Sequence, residues 1–186
     1  MKIERSAIPD VLVIEPTRFE DPRGFFSEVW SHRSLAAHGI ETPFVQDNHS
    51  LSREAGVVRG LHFQRPPWAQ GKLVRVVRGA ILDIAVDLRE GSATFGRHVA
   101  MELSAANWRQ LWVPRGFAHG FATLEPDTEV LYKVDAYYDR DADAGILWND
   151  PALGIDWPAA DPILSAKDRT APRLAEIDPP FPAGSW

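Results

Sequence analysis

Ala80-Ile81-Leu82-Asp83-Ile84-Ala85-Val86-Asp87-Leu88 decides the fold. Successive side chains of an extended chain point to opposite sides. Ala80, Leu82, Ile84, Val86 and Leu88 therefore share one face, while Asp83 and Asp87 lie on the other. Similar short runs recur at 11–15, 24–30, 57–64, 72–77, 98–103, 110–113 and 129–134, separated by Gly, Pro, Asp and Asn clusters that read as turns. Strands this short and numerous predict an all-β sandwich or barrel. One helix is predicted over 33–38, with Ser31 as cap and Gly39 as stop. Residues 104–107 read as a turn, and the rest needs no helix.

The 186 residues are 45% hydrophobic, with 15 Pro and 13 Gly, which suits many turns around one core, so a single domain over 1–186 is expected. With no cysteine, a disulfide framework, a thiolate metal site and a thiol nucleophile are all excluded. A net charge of −6 argues against wrapping nucleic acid, though a local basic cluster can still hold a small anion. Pro9 and Asp10 interrupt the N-terminus before a signal-peptide core develops, and no apolar run approaches the roughly 20 residues of a membrane span. A cytoplasmic location is expected. Past about residue 140 the alternation weakens into segments such as Leu147-Trp148-Asn149-Asp150, read as a tail packed on the barrel. Pro179, Pro180 and Pro182 suggest an irregular or frayed end.

Three residues stand where chemistry is possible. In Arg59-Gly60-Leu61-His62-Phe63-Gln64, alternation puts Arg59, Leu61 and Phe63 on one face and His62 with Gln64 on the other. A strand histidine is either a structural hydrogen-bonding residue or a catalyst. Lys72 falls on the face of Val74 and Val76, where burial expects an apolar group; it is either an inward cation or a strand-end lysine extending to solvent. Tyr132 shares a face with Val130 and Val134, as a core tyrosine or an inward hydroxyl in need of a polar partner.

Gly60-Leu61-His62-Phe63-Gln64 and Pro114-Arg115-Gly116-Phe117-Ala118-His119 resemble the two motifs of the cupin jelly roll. A metal-binding cupin needs His-x-His and a carboxylate from its first motif. Here the pair reads His62-Phe63-Gln64, and Lys72 stands near the position of the acidic ligand, so no metal site is expected.

Longer phrases are more specific. Asp21-Pro22-Arg23-Gly24-Phe25-Phe26, Phe44-Val45-Gln46-Asp47-Asn48-His49-Ser50, Val58 through Gln64, Gln70-Gly71-Lys72-Leu73-Val74-Arg75 and Gln110-Leu111-Trp112-Val113-Pro114 follow one another in order. They continue through Gly116 to Phe121, Leu131-Tyr132-Lys133, Ile146 to Asp150 and Leu164-Ser165-Ala166-Lys167-Asp168. Together they resemble the dTDP-4-dehydrorhamnose 3,5-epimerase family over nearly the whole chain. The resemblance implies a homodimeric cupin-type jelly roll that needs no cofactor and takes dTDP-4-keto-6-deoxy-D-glucose to dTDP-4-keto-L-rhamnose. By the resemblance His62 is the general base, Asp168 its orienting carboxylate and Tyr132 the acid on the opposite face of the sugar. It places ligand contacts at Arg23, Glu28, Gln46, Asp47, Asn48, Arg59, Lys72, His119, Asp143 and Lys167, with Tyr138 stacking on the thymine. Lys72 is also suited, by its charge, to stabilise an enolate at the C4 oxygen. Asp143 departs from the glutamate usual in the family, and the spacing of Asp143-Ala144-Gly145-Ile146 departs with it, so that contact is the weakest of the set.

Other readings stay open at this level: a relative that inverts one carbon or takes another 4-keto sugar, a ketoisomerase, a silent sugar-nucleotide-binding jelly roll, and a metal cupin in which His49, His62 and His119 converge on one ion.

Overall fold

In a computed structural model, which describes residues 1–183, the chain forms two facing antiparallel sheets. In chain order the strands are β1 (Lys2–Arg5), β2 (Leu12–Glu15), β3 (Phe19–Asp21), β4 (Gly24–Phe26), β5 (Gln46–Ser52), β6 (Val58–Gln64) and β7 (Lys72–Arg78). There follow β8 (Ala80–Asp87), β9 (His98–Ser104), β10 (Gln110–Val113), β11 (Phe117–Thr123), β12 (Thr128–Val134) and β13 (Asp143–Gly145). The six-stranded sheet has the order β1-β2-β10-β7-β12-β5, the five-stranded sheet β13-β6-β11-β8-β9, and β3-β4 make a separate ribbon. Every sheet partner within these strands is antiparallel, and the non-sequential strand order gives the expected jelly roll.

The alternation in β8 is real, but both of its faces are covered. Ile81 and Ala85 point into the core between the sheets, where they meet Val74, Val76, Leu111, Val113 and Val130 from the opposite sheet. Asp83 and Asp87 have the same parity, so the polar side of this strand is the barrel interior. Ile84, Val86 and Leu88 face outward into a second core with Leu61 and Phe63, roofed by Ile146, Leu153 and Phe181. The tail thus packs on the barrel as expected. Its proline-rich end is not frayed up to Ala183: Phe181 is 2% exposed and stacks against Phe63 at 5.9 Å. Residues 184–186 of the expected 1–186 domain lie outside the described part. A third core on the outer face of the six-stranded sheet joins Leu12, Ile14, Leu73 and Trp112 to Leu35 and Ile40.

Leu35 lies within the helix expected over 33–38, which Ile40 follows. It runs as α1 (His32–Ala36), with Ser31 at its N-cap position, though the Ser31 side chain makes no capping bond, and Gly39 follows at φ 86°. The sequence reading missed a short α2 (Ala166–Arg169) and a 3-10 turn (Leu174–Glu176), both too brief for a 3.6-residue pattern to register. It also missed β1, β3, β5, β11 and β13, and extended β4 too far, to Trp30. β11 is buried at every position, so it lacks alternation; β5 is polar on both faces.

One expected face is corrected. Arg59 does not lie with Leu61 and Phe63. On β11, His119 pairs with His62 and Phe121 with Arg59, so Gly120 alone stands opposite Gly60 and Leu61. This bulge of one extra residue reverses the parity upstream of it and turns Arg59 to the same side as His62. Glycine makes it possible: a Cβ at Gly60 would sit 2.6 Å from the Gly120 Cα, and Gly60 has φ 141°.

Candidate active site

The open end of the barrel holds two adjoining cavities of about 460 Å³ each, which share His62, Lys72, Tyr132 and Lys167 as walls and so form one cleft. His62 enters from β6 in the five-stranded sheet. Tyr132 enters from β12 in the six-stranded sheet, so the two approach from opposite walls. Lys72 opens β7 next to β12, inward and 9% exposed; the solvent-extended alternative for it is overturned. Its position is fixed by its predecessor, since the Gly71 amide donates to Asp135 Oδ1 at 2.7 Å.

His62 Nε2 meets Asp168 Oδ1 at 2.5 Å. Asp168 is 4% exposed and rides on α2, whose first turn is capped by Ser165 Oγ accepting from the Asp168 amide at 3.1 Å. Burial works to raise the Asp168 carboxyl, but the hydrogen bond and charge of His62, with Ser165 and the Gly60 amide, outweigh it and hold Asp168 below the usual carboxylate range. Burial pulls Lys72 down to about 8, against the opposing charges of Asp83 and Asp143 and with the help of Lys167. Burial also raises the Tyr132 phenol, only partly countered by the Arg59 charge, so it stays protonated through neutral pH. A dyad able to take a proton, a phenol able to give one and a cation that stabilises negative charge between them suit proton transfer at carbon.

The other expected residues divide. Gln46, Asn48, Tyr138, Asp143 and Lys167 line one cavity, and Arg59 and His119 line the other. Arg59 reaches across to β5, donating to Ser52 Oγ at 3.1 Å and the Leu51 carbonyl at 3.1 Å. Asp143 is engaged by the Lys167 ammonium and by the Tyr138 hydroxyl, which donates at 3.3 Å. Arg23 and Glu28 line neither cavity: Arg23 sits in the β3–β4 turn, its side chain 90% exposed and paired with Asp21. Asp47 points outward and pairs with Lys133 at 2.7 Å. His49 also points outward, to Glu129 at 2.9 Å, so it does not converge with His62 and His119.

Sequence reasoning missed Asp83. It is wholly buried beneath the cleft and receives His119 Nε2 at 2.7 Å, while its Oδ2 has no hydrogen-bond partner among the described residues. The signal was present, a carboxylate alternating with the apolar residues of a buried strand, but only the sheet pairing tells that its face is the inner one.

A jelly-roll barrel with a His–Asp dyad, a facing tyrosine and a buried lysine at one open end belongs to the acid–base isomerase class. The family model described as dTDP-4-dehydrorhamnose 3,5-epimerase matches residues 5–176, and the chain belongs to that family. The dTDP-4-dehydrorhamnose 3,5-epimerase of Salmonella typhimurium is 53% identical over 176 residues, covering 94% of this chain and 96% of that protein. The crystal structure of the Bacillus anthracis dTDP-4-dehydrorhamnose 3,5-epimerase, with TDP and PPi bound, matches with a TM-score of 0.90 at 53% identity over 92% of this chain and 98% of that one. The Legionella pneumophila dTDP-6-deoxy-D-glucose-3,5-epimerase in complex with dTDP-4-keto-L-rhamnose gives 0.91 at 45% identity over 95% and 94%.

Proposed function

We propose that the chain is a dTDP-4-dehydrorhamnose 3,5-epimerase, converting dTDP-4-dehydro-6-deoxy-D-glucose to dTDP-4-dehydro-L-rhamnose. The observation that carries this reading is the placement of His62–Asp168 and Tyr132 on opposite walls of one cleft. His62 takes a proton from the carbon beside the ketone, the bonding pair moves to the C4 oxygen as an enolate, and Tyr132 returns a proton from the other side, inverting the centre. Asp168 orients the ring of His62 and favours the imidazolium formed. Lys72 faces the enolate oxygen, and a cation in a desolvated site is worth far more there than in water. His62 then passes its proton to water and Tyr132 regains one from water, so the step is performed once at C5 and once at C3.

Arg59, His119, Lys167, Gln46 and Asn48 hold the diphosphate and sugar, and Tyr138 stacks on the base. A homodimer agrees with the ribbon, where Phe19, Phe25 and Phe26 are 61%, 54% and 71% exposed on the segment that carries Arg23. On this reading Arg23, Glu28 and Asp47 act from outside the chain's own cleft. No helix among the described residues is long and apolar enough to cross a membrane, and the proposed place of action is the cytoplasm.

Incubation with dTDP-4-keto-6-deoxy-D-glucose in heavy water, followed by proton NMR, tests the assignment. Deuterium entry at C3 and C5, abolished by His62→Ala, is the expected outcome. Exchange at C3 alone would identify a single-centre relative, and no exchange at either carbon would favour the silent binder.

A further inference from the structure

Gln64 occupies the place at which the cupin motif carries its second histidine, and it is 4% exposed. Its carboxamide is fully used. Nε2 donates to the Trp68 carbonyl at 2.6 Å and to the Tyr137 carbonyl at 3.1 Å, while Oε1 accepts from the Asp139 amide at 2.8 Å. Two of those three bonds bracket Tyr138, one residue before it and one after. Gln70 Nε2 holds the preceding Ala136 carbonyl at 2.8 Å. Gln46 Oε1 accepts from the Tyr138 amide itself at 3.1 Å. Residues 136–139 belong to no strand or helix, so these side chains take the part that a ladder of backbone bonds plays elsewhere. A carboxamide both donates twice and accepts, which a hydrophobic residue cannot do and a histidine does less completely.

The segment so held carries Tyr138, which is 58% exposed and lines the cleft mouth. We propose that Gln64, seconded by Gln70, is a positioning residue for nucleotide recognition: it fixes residues 136–139 so that the Tyr138 ring is already set as a stacking platform before the base arrives. This rests on the proposed reading of the cleft as a dTDP-sugar site. A platform ordered in advance removes the ordering cost that a free loop would incur on binding. The glutamine that replaces a metal-cupin ligand thereby serves selection of the base, and leaves proton transfer to His62 and Tyr132.

The test is a double-mutant cycle read by calorimetric titration with dTDP and with inorganic pyrophosphate, which lacks the base. Gln64→Met keeps the volume and charge but removes all three bonds. It is expected to weaken dTDP about tenfold, in the range that one base–aromatic stack supplies. Pyrophosphate should weaken less than about twofold, and so should dTDP when the same change is made in a Tyr138→Ala background, where no ring remains to be placed. With substrate, KM should rise while kcat holds within about twofold, the sign of lost uniform binding. Equal weakening of both ligands, or equal loss with and without the Tyr138 ring, would make Gln64 merely structural and overturn the proposal. Should Gln64→Met fail to fold, Gln70→Leu removes a single bond and gives the same comparison, with an expected loss of about threefold. Wild-type protein that does not bind dTDP overturns the functional reading and this inference together. Binding without the differential loss overturns this inference alone.

Discussion

Lys72 shows the competition between stability and chemistry at the scale of one residue. Its folded-state pKa, about 8, lies below the roughly 10.4 of an unfolded lysine, so the buried ammonium costs stability at every pH below 8. That cost is relieved as pH rises between the two values. Lys72→Met should therefore raise stability by about 1–3 kcal/mol at pH 7 and cut turnover about 100–1000-fold. Denaturant titrations across pH should show the wild type regaining ground on the variant between 8 and 10. Under the proposed enolate role, the same number is expected to place the alkaline limb of kcat/KM near pH 8, because the Tyr132 phenol, raised by burial, loses its proton only later. A limb unmoved in Lys72→Arg, whose guanidinium holds its charge throughout, would remove Lys72 from the assignment. Asp168 has the opposite sign. Its folded pKa is depressed, so its stabilisation is present above about pH 4, the unfolded value, and is lost as pH falls through the folded value. Asp168→Asn should lower kcat about 100-fold and flatten the acid side of the stability curve, which equilibrium denaturation at pH 3 and pH 7 would resolve.

At the scale of the element, β6 is where local pattern and tertiary pairing disagree. Strict alternation sends Arg59 outward, away from His62. The bulge at Gly60 and Leu61 brings it in, so the cationic wall of the cleft depends on one glycine facing another across β11. Gly60→Ala places a methyl group 2.6 Å from the Gly120 Cα at φ 141°, where the nearest atoms are all backbone of His119 and Gly120 and no flexible side chain can yield. A loss of at least about 2 kcal/mol is expected. Activity should fall further than stability does, since Arg59 and His62 are aimed by the same register. Thermal melts paired with kcat/KM at a temperature where the variant is folded would separate the two effects. β8 was legible because a strand carrying Asp83 and Asp87 among aliphatic residues has a visible period of two. β11 was not, because burial on both faces erases that period.

For the whole molecule, the two sheets provide opposite walls and the tail provides the roof. Phe181 closes the outer core under which Leu61 and Phe63 alternate with His62, so residues 174–181 stiffen the strand that carries His62. Phe181→Ala should destabilise by about 3–5 kcal/mol, lowering the melting temperature by about 6–20 °C, with kcat little changed below the melt. A kcat that fell in proportion to the lost stability would instead make the tail a direct support of the site.

The sequence by itself determined the all-β class, the face that His62 shares with Gln64, Lys72 with Val74 and Val76, and Tyr132 with Val130 and Val134, and the packing of the segment beyond residue 140. These rest on periodicity, which a strand imposes locally and which needs no partner to be read. That these faces are the inner ones only the sheet pairing decided. Tertiary structure alone decided that Asp83 lies beneath the cleft, that Arg59 joins it, that Asp143 is held by Lys167, and that Gln64 brackets Tyr138. It also placed Arg23, Glu28 and Asp47 outside the cleft that His62 and Tyr132 line. Each of these depends on which strand pairs with which and in what register, and residues brought together from as far apart as His62 and Asp168 leave no periodic trace in the chain.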